Sequence, residues 1–254
     1  MAPQINGSVV KAFEILHLFT RDRPVVAAAD LVRELGLNNV TAHRFLRTLE
    51  HVGALVVEAR GHYRLGFVFA DLGSRVLEIE SIARVVQPVL SALTEAIGEG
   101  SMATVLRADK VVCIARALPR RPLSVDVRVG SELEAYCTAH GKLWLAHLPE
   151  AELGRYLATV ARPVFTATTM VDEAALRAEI ASIRKAGYAF NRGEREEGLA
   201  AVAVPVLNRA GGMITGLSVF GPAARLDEAA LISARDRLRR AAADLEQGFY
   251  GTGL

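Results

Sequence analysis

Apolar residues recur at helical spacing from the start of the chain. Val9, Phe13 and Leu16 form one row and Ala12, Ile15 and Phe19 the next, which predicts a first helix with a wide buried stripe and Ser8 as its cap. Residues 22–24 break it. A short second helix is expected through Ala28, Leu31 and Leu35, with Gly36 where a left-handed C-terminal cap belongs. After the turn Gly36-Leu37-Asn38, a third helix carries Ala42, Phe45, Leu46 and Leu49 inward, and Asn38 is placed to accept from its freed N–H groups. Leu55 and Val57 then alternate with polar neighbours, Arg60-Gly61 supplies a turn, and Tyr63 and Leu65 alternate back, the pattern of a β-hairpin.

Beyond Gly66 the pattern lengthens. Val68, Phe69, Leu72, Val76 and Ile79 are spaced for one side of a helix. Ser81 is a candidate cap for the next, whose row runs Ile82, Val85, Val86, Val89, Leu93 and Ile97, and Pro88 should kink or restart it. Strands are expected over 102–106 and 111–115, joined by Ala108-Asp109-Lys110, and over 124–128, 200–207 and 213–220. Helices are expected over 138–147 and 150–160. Another runs from Asp172, with Leu176, Ile180 and Ile183 inward, to Gly187; the last starts at Asp227 and shows Leu231, Ala234, Leu238, Leu245 and Phe249 on one side. This order predicts an α+β chain in three parts: a winged helix-turn-helix over 1–66, a linking helix over 67–80, and a domain over 81–254 with a mainly antiparallel sheet flanked by helices.

Composition narrows the function. With 254 residues, 51% of them apolar, the chain has enough core for two unequal domains. No run approaches the roughly 18 apolar residues of a membrane span, and MAPQINGS lacks a signal-peptide pattern, so a cytoplasmic protein without a membrane partner is expected. Cys113 and Cys137 are too few for a disulfide scaffold and form no CxxC, so both should be reduced. A net charge of +2 alone would not suggest nucleic acid, but residues 1–70 hold eight Lys/Arg against six Asp/Glu and four of the six histidines.

The third helix gives that tilt a location. Opposite its inward row lie Val40, Arg44, Arg47 and His51, flanked by Thr41 and His43. Arginine can fork onto guanine O6 and N7, Thr41, Asn38 and Asn39 can bond phosphate or base edges, and Val40 can touch a thymine methyl. Arg60, His62 and Arg64 cluster about the hairpin tip, where a wing would meet phosphates or the minor groove. Either surface alone could be merely solvated. The order of helix, short helix, tight turn, basic helix and hairpin favours a double-stranded DNA reader.

The segments SVVKAFEIL, LVRELGLNNVTAHRFLRTLEHVGAL and HYRLG, together with TAHGK, AVAVPV and LSVFGP, resemble the IclR family of bacterial regulators. The resemblance implies a GAF-like C-terminal fold, a linking helix that helps form a homodimer or dimer of dimers, and a pocket for a small organic acid or aromatic effector. Thr41, His43 and Arg44 match the family's recognition helix, while Asn39 and Val40 replace its usual lysine and serine. It further implies effector contacts at Met102, Tyr136, Cys137, Ala139, His140, Glu194, Ser218 and Phe220, and no cofactor. His140 and Trp144 are bulkier than the residues common in that pocket.

The sequence leaves two rival functions. An enzyme on the C-terminal domain lacks HExxH, GxSxG and a phosphate loop, leaving only the thought of a thiol pair or half a metal site at Cys137 and His140. The other is a winged-helix module that binds a protein instead of DNA.

Overall fold

A computed structural model describes residues 5–76, 79–121, 125 and 127–250. The chain divides into two compact units that meet between Glu78 and Ile79. In the first, α1 (Gly7–Leu16), α2 (Ala28–Leu35) and α3 (Asn39–His51) surround a core of Ile15, Leu31, Ala42, Leu46 and Leu49. Strands β1 (Val25–Ala27), β2 (Leu55–Ala59) and β3 (His62–Leu65) form an antiparallel sheet in the order β1-β3-β2, and α4 (Val68–Val76) follows.

Several local signals act as expected. Gly36 ends α2 at φ 65°, a conformation glycine enters without penalty, and Asn38 Oδ1 accepts the Thr41 N–H at 2.8 Å to cap α3. Others differ. Asn6 rather than Ser8 caps α1, because its Oδ1 reaches the Ser8 N–H at 3.0 Å. Within the described residues Val9 is 54% and Phe13 49% exposed: α1 turns only Ile15 fully inward, with Ala12 and Leu16 beside it, so the wide stripe is not all core. Val57 is likewise exposed on β2.

The second unit opens with α5 (Ile79–Ile97), so Ser81 lies inside this helix and does not cap it. The helix continues past Pro88 without a restart, and Val85 in its expected row is exposed. The side chains of Val76 and Ile79 fall outside the described ones. Six antiparallel strands follow: β4 (Gly100–Arg107), β5 (Lys110–Ala117), β6 (Glu132–Glu134), β7 (Ala189–Arg192), β8 (Leu199–Leu207) and β9 (Met213–Pro222), in the order β6-β5-β4-β9-β8-β7. The strand expected over 124–128 is replaced by β6; Ser124 and Asp126 lie outside the described residues, and Val125, Val127 and Arg128 are in no strand.

Period-2 alternation assigns the strand residues to faces, interrupted in β5 by a bulge that puts Cys113 and Ala115 on opposite sides. Ala103, Ala115, Val202, Val204, Leu217 and Val219 pack under α5 and α9 (Glu228–Tyr250). Met102, Cys113, Ala201, Ala203 and Phe220 point the other way, toward α6 (Ala139–His147), α7 (Glu150–Thr159) and α8 (Glu173–Ala186). The two faces therefore bury separate cores. The second also holds the polar groups described next.

Candidate functional site

In the first unit α3 buries Ala42, Leu46 and Leu49 and leaves Asn39, Val40, His43, Arg44 and Arg47 exposed, with Thr41 half-buried. Arg44 has no side-chain partner among the described residues, and Arg47 approaches Glu50 at 3.7 Å with its side chain 79% exposed, a contact too solvated to hold it. Asn38 spends Oδ1 on the helix cap, so its amide nitrogen is what remains for a phosphate. On the hairpin Arg60 and His62 are exposed, His62 Nδ1 sits 3.2 Å from the Arg60 carbonyl, and Arg64 pairs with Glu58 at 2.8 Å. The Gly61 carbonyl at the tip accepts the Ala28 N–H at 2.8 Å, fixing the wing to the start of α2. Donors and cations are thus presented on rigid elements, as groove recognition requires.

In the second unit a cavity of about 80 Å³ opens against the α6 face of the sheet. Met102, Ala139, His140 and Phe220 line it with Val125, Val127, Leu133, Leu199 and Ala201, so its wall is mostly apolar. Tyr136, Cys137, Glu194 and Ser218 are buried outside that lining. The Tyr136 hydroxyl donates to the Pro163 carbonyl at 2.6 Å, the Cys137 carbonyl accepts the Asn191 amide at 2.6 Å, and Glu194 is held by Lys142 at 2.6 Å. Ser218 pairs in register with Met102 and shares its face.

His140 organises the closed end. Trp144 Nε1 donates to Thr104 Oγ1 at 3.3 Å, and the Thr104 hydroxyl lies 2.9 Å from His140 Nδ1, its available acceptor. With the Thr104 hydroxyl assigned as donor to Nδ1, the imidazole proton falls on Nε2, which has no partner among the described residues. Burial pushes this group down to about 3, so it is a neutral donor at physiological pH. Glu194 Oε2 and Ser218 Oγ are also buried without partners. Buried polar atoms left unpaired are costly, and of these three residues only His140 also lines the cavity.

A Cys137–His140 pair has no nucleophile, since burial pushes the thiol up to about 12 while the imidazole stays neutral. Among the described residues no cluster of three or more His, Cys, Asp or Glu could hold a metal, and no helix is long and apolar enough to cross a membrane. Sequence reasoning missed Thr104, Lys142, Asn191 and Arg195. A threonine within MATVL and a lysine in the apolar AHGKLWLAH were the available signals; Asn191 and Arg195 gave none.

Comparison with known proteins decides the family. The chain matches the IclR helix-turn-helix domain over residues 8–59 and the C-terminal domain of the bacterial transcriptional regulator IclR over residues 74–247. The chain belongs to the IclR family. This IclR-family protein is 32% identical to the Cupriavidus necator regulator SauR, covering 98% of this chain and 99% of that one, and 31% identical to XynR of Escherichia coli K12, covering 93% and 94%. A crystal structure of an IclR homologue from Microbacterium hydrocarbonoxydans, complexed with 4-hydroxybenzoate, is 26% identical with a TM-score of 0.64, covering 96% of this chain and 99% of that one. The chain is therefore a transcriptional regulator with a DNA-binding helix-turn-helix and an effector-binding C-terminal domain, and not an enzyme.

Proposed function

We propose that this cytoplasmic regulator binds operator DNA as a dimer, with residues 1–66 as the reading head, 67–80 as the dimerising link and 81–254 as the sensor of a small organic acid or aromatic compound. Asn39, Val40, Thr41, His43, Arg44 and Arg47 enter the major groove, while Asn38, Arg60 and His62 approach the backbone. The observation that carries this reading is the arginine-bearing face of α3, exposed directly opposite its buried row. Arg44→Ala should weaken specific binding by about 1–3 kcal/mol, and the affinity of the parent protein should fall steeply with salt as phosphate contacts are displaced. Gel-shift titrations on the operator at two salt concentrations test both; unchanged affinity in Arg44→Ala, or salt-insensitive binding, refutes the groove assignment.

The effector occupies the His140 cavity and favours one arrangement of the paired heads, since only differential affinity can move an equilibrium. Support comes from the buried, unpartnered atoms of His140 and Ser218 on the cavity face, and from the aromatic acid held by the Microbacterium homologue. Replacing either residue by alanine should shift the effector dose–response curve while leaving effector-independent DNA binding intact. Superimposable curves for parent and variants would remove those residues from the site.

A further inference from the structure

The cavity wall includes Arg195, its single cation among the described lining residues. This side chain is 36% exposed where His140 is 1% exposed, so it stands at the mouth while the imidazole closes the far end. Its guanidinium is used sparingly: Nε donates to Glu134 Oε2 at 2.7 Å, and the ring of Phe165 lies under the plane at 5.3 Å. Both terminal nitrogens are without a hydrogen-bond acceptor among the described residues. Glu134 has a second partner, because Lys110 Nζ meets its Oε1 at 2.9 Å. Burial would raise the Glu134 carboxyl, but Lys110 and Arg195 together hold it down to about 2. Arg195 can therefore turn away and still leave Glu134 paired. Its backbone does not follow, since the neighbouring Glu194 is tied to Lys142 at 2.6 Å and Glu194 O accepts from Thr169 Oγ1 at 2.7 Å. A flexible side chain on a fixed loop is suited to exchange one carboxylate for another.

We propose that Arg195 is the charge-recognising residue of this cavity, exchanging Glu134 for the carboxylate of a ligand whose apolar body lies along Met102, Leu133, Leu199 and Phe220. This rests on the reading of the cavity as the effector site and names the ligand charge, a monocarboxylate with an apolar body, for which benzoate is the probe. Guanidinium suits a carboxylate because its planar fork can make two parallel charge-assisted hydrogen bonds. His140 Nε2–H cannot supply that charge and instead meets a neutral acceptor at the far end. Glu196, the other charged lining residue, is exposed to water and screened.

Calorimetric titration of the full chain with benzoate and with benzamide, its uncharged analogue, tests the exchange. Benzoate should bind on the order of tenfold tighter than benzamide. Arg195→Gln should erase that difference by weakening benzoate, and the circular dichroism spectrum of the variant reports that it is folded. Glu134→Gln should tighten benzoate severalfold, and this gain should vanish in the Arg195→Gln background. Equal affinities in the parent, an unaffected Arg195→Gln, or a Glu134→Gln gain that persists without Arg195 each overturns the exchange. If both probes bind equally and His140→Ala weakens both, the cavity reading survives and only the role of Arg195 falls. If neither binds, the inference falls; if no compound in an organic-acid screen raises the melting temperature either, the effector reading falls with it.

Discussion

Lys142→Met should destabilise the effector-binding unit by about 3–5 kcal/mol, seen as a melting temperature lower by on the order of 10 °C. Lys142 is 2% exposed yet carries an ammonium group, which reaches Glu194 at 2.6 Å and Glu179 at 3.3 Å. Methionine fills a similar volume, so packing changes little and the loss is electrostatic. Glu194, 8% exposed, would keep a buried charge with Oε2 already unpartnered and Oε1 newly so. The cost then comes from stranding one partner more than from losing the attraction, because an intact buried pair barely exceeds its own desolvation. Hence the double variant Lys142→Met/Glu194→Gln should recover most of the loss. Thermal and urea unfolding of parent, single and double variants measure this cycle. A single variant within about 1 kcal/mol of the parent, or a double variant no better than the single, would mean that this pair does not hold the 193–198 loop.

The reading head was legible because its signals are local. Gly36 and Asn38 act within a few residues of themselves, and the α3 row is periodic enough to place Arg44 and Arg47 outward before any tertiary contact is known. β1 was not legible: Val25–Ala27 has too few residues to show alternation and becomes a strand by pairing with β3 almost forty positions later. The three-residue β6 and four-residue β7 escaped for the same reason. Val9 and Phe13 show the opposite failure, since apolar spacing reports a face without saying how far the core extends beneath it.

The cavity depends still more on distant pairs. Thr104 meets His140 across 36 positions, Lys142 meets Glu194 across 52, and Arg195 meets Glu134 across 61. Of the residues that family motifs pointed to, Met102, Ala139, His140 and Phe220 line the cavity, and Tyr136, Cys137, Glu194 and Ser218 do not. Motifs do not say which buried atom is spent on a backbone carbonyl and which is left over. That distinction separates Tyr136, whose hydroxyl is committed to Pro163, from His140, whose Nε2 has no partner among the described residues.

The second large effect concerns a residue with no side chain. Gly141 sits in α6, where alanine is ordinarily favoured over glycine by about 1 kcal/mol. Here a Cβ would lie 2.1 Å from Ala135 Cα and 2.2 Å from its carbonyl oxygen, so the obstacle is backbone and cannot rotate aside. Overpacking of this kind costs about 1–3 kcal/mol and sometimes more, enough to outweigh the propensity gain. At 2.1 Å from backbone the upper end of that range applies, so Gly141→Ala should be destabilising by up to about 2 kcal/mol net, and the displaced helix should carry His140 off Thr104 and blunt the effector response. Gly154 in α7 supplies the control, because a Cβ there meets only the end of the Arg177 side chain at 3.9 Å. Gly154→Ala should raise stability by up to about 1 kcal/mol. Thermal unfolding of the two variants should thus give shifts of opposite sign; shifts of the same sign would refute the close seating of α6 on Ala135 that places His140 at the end of the cavity.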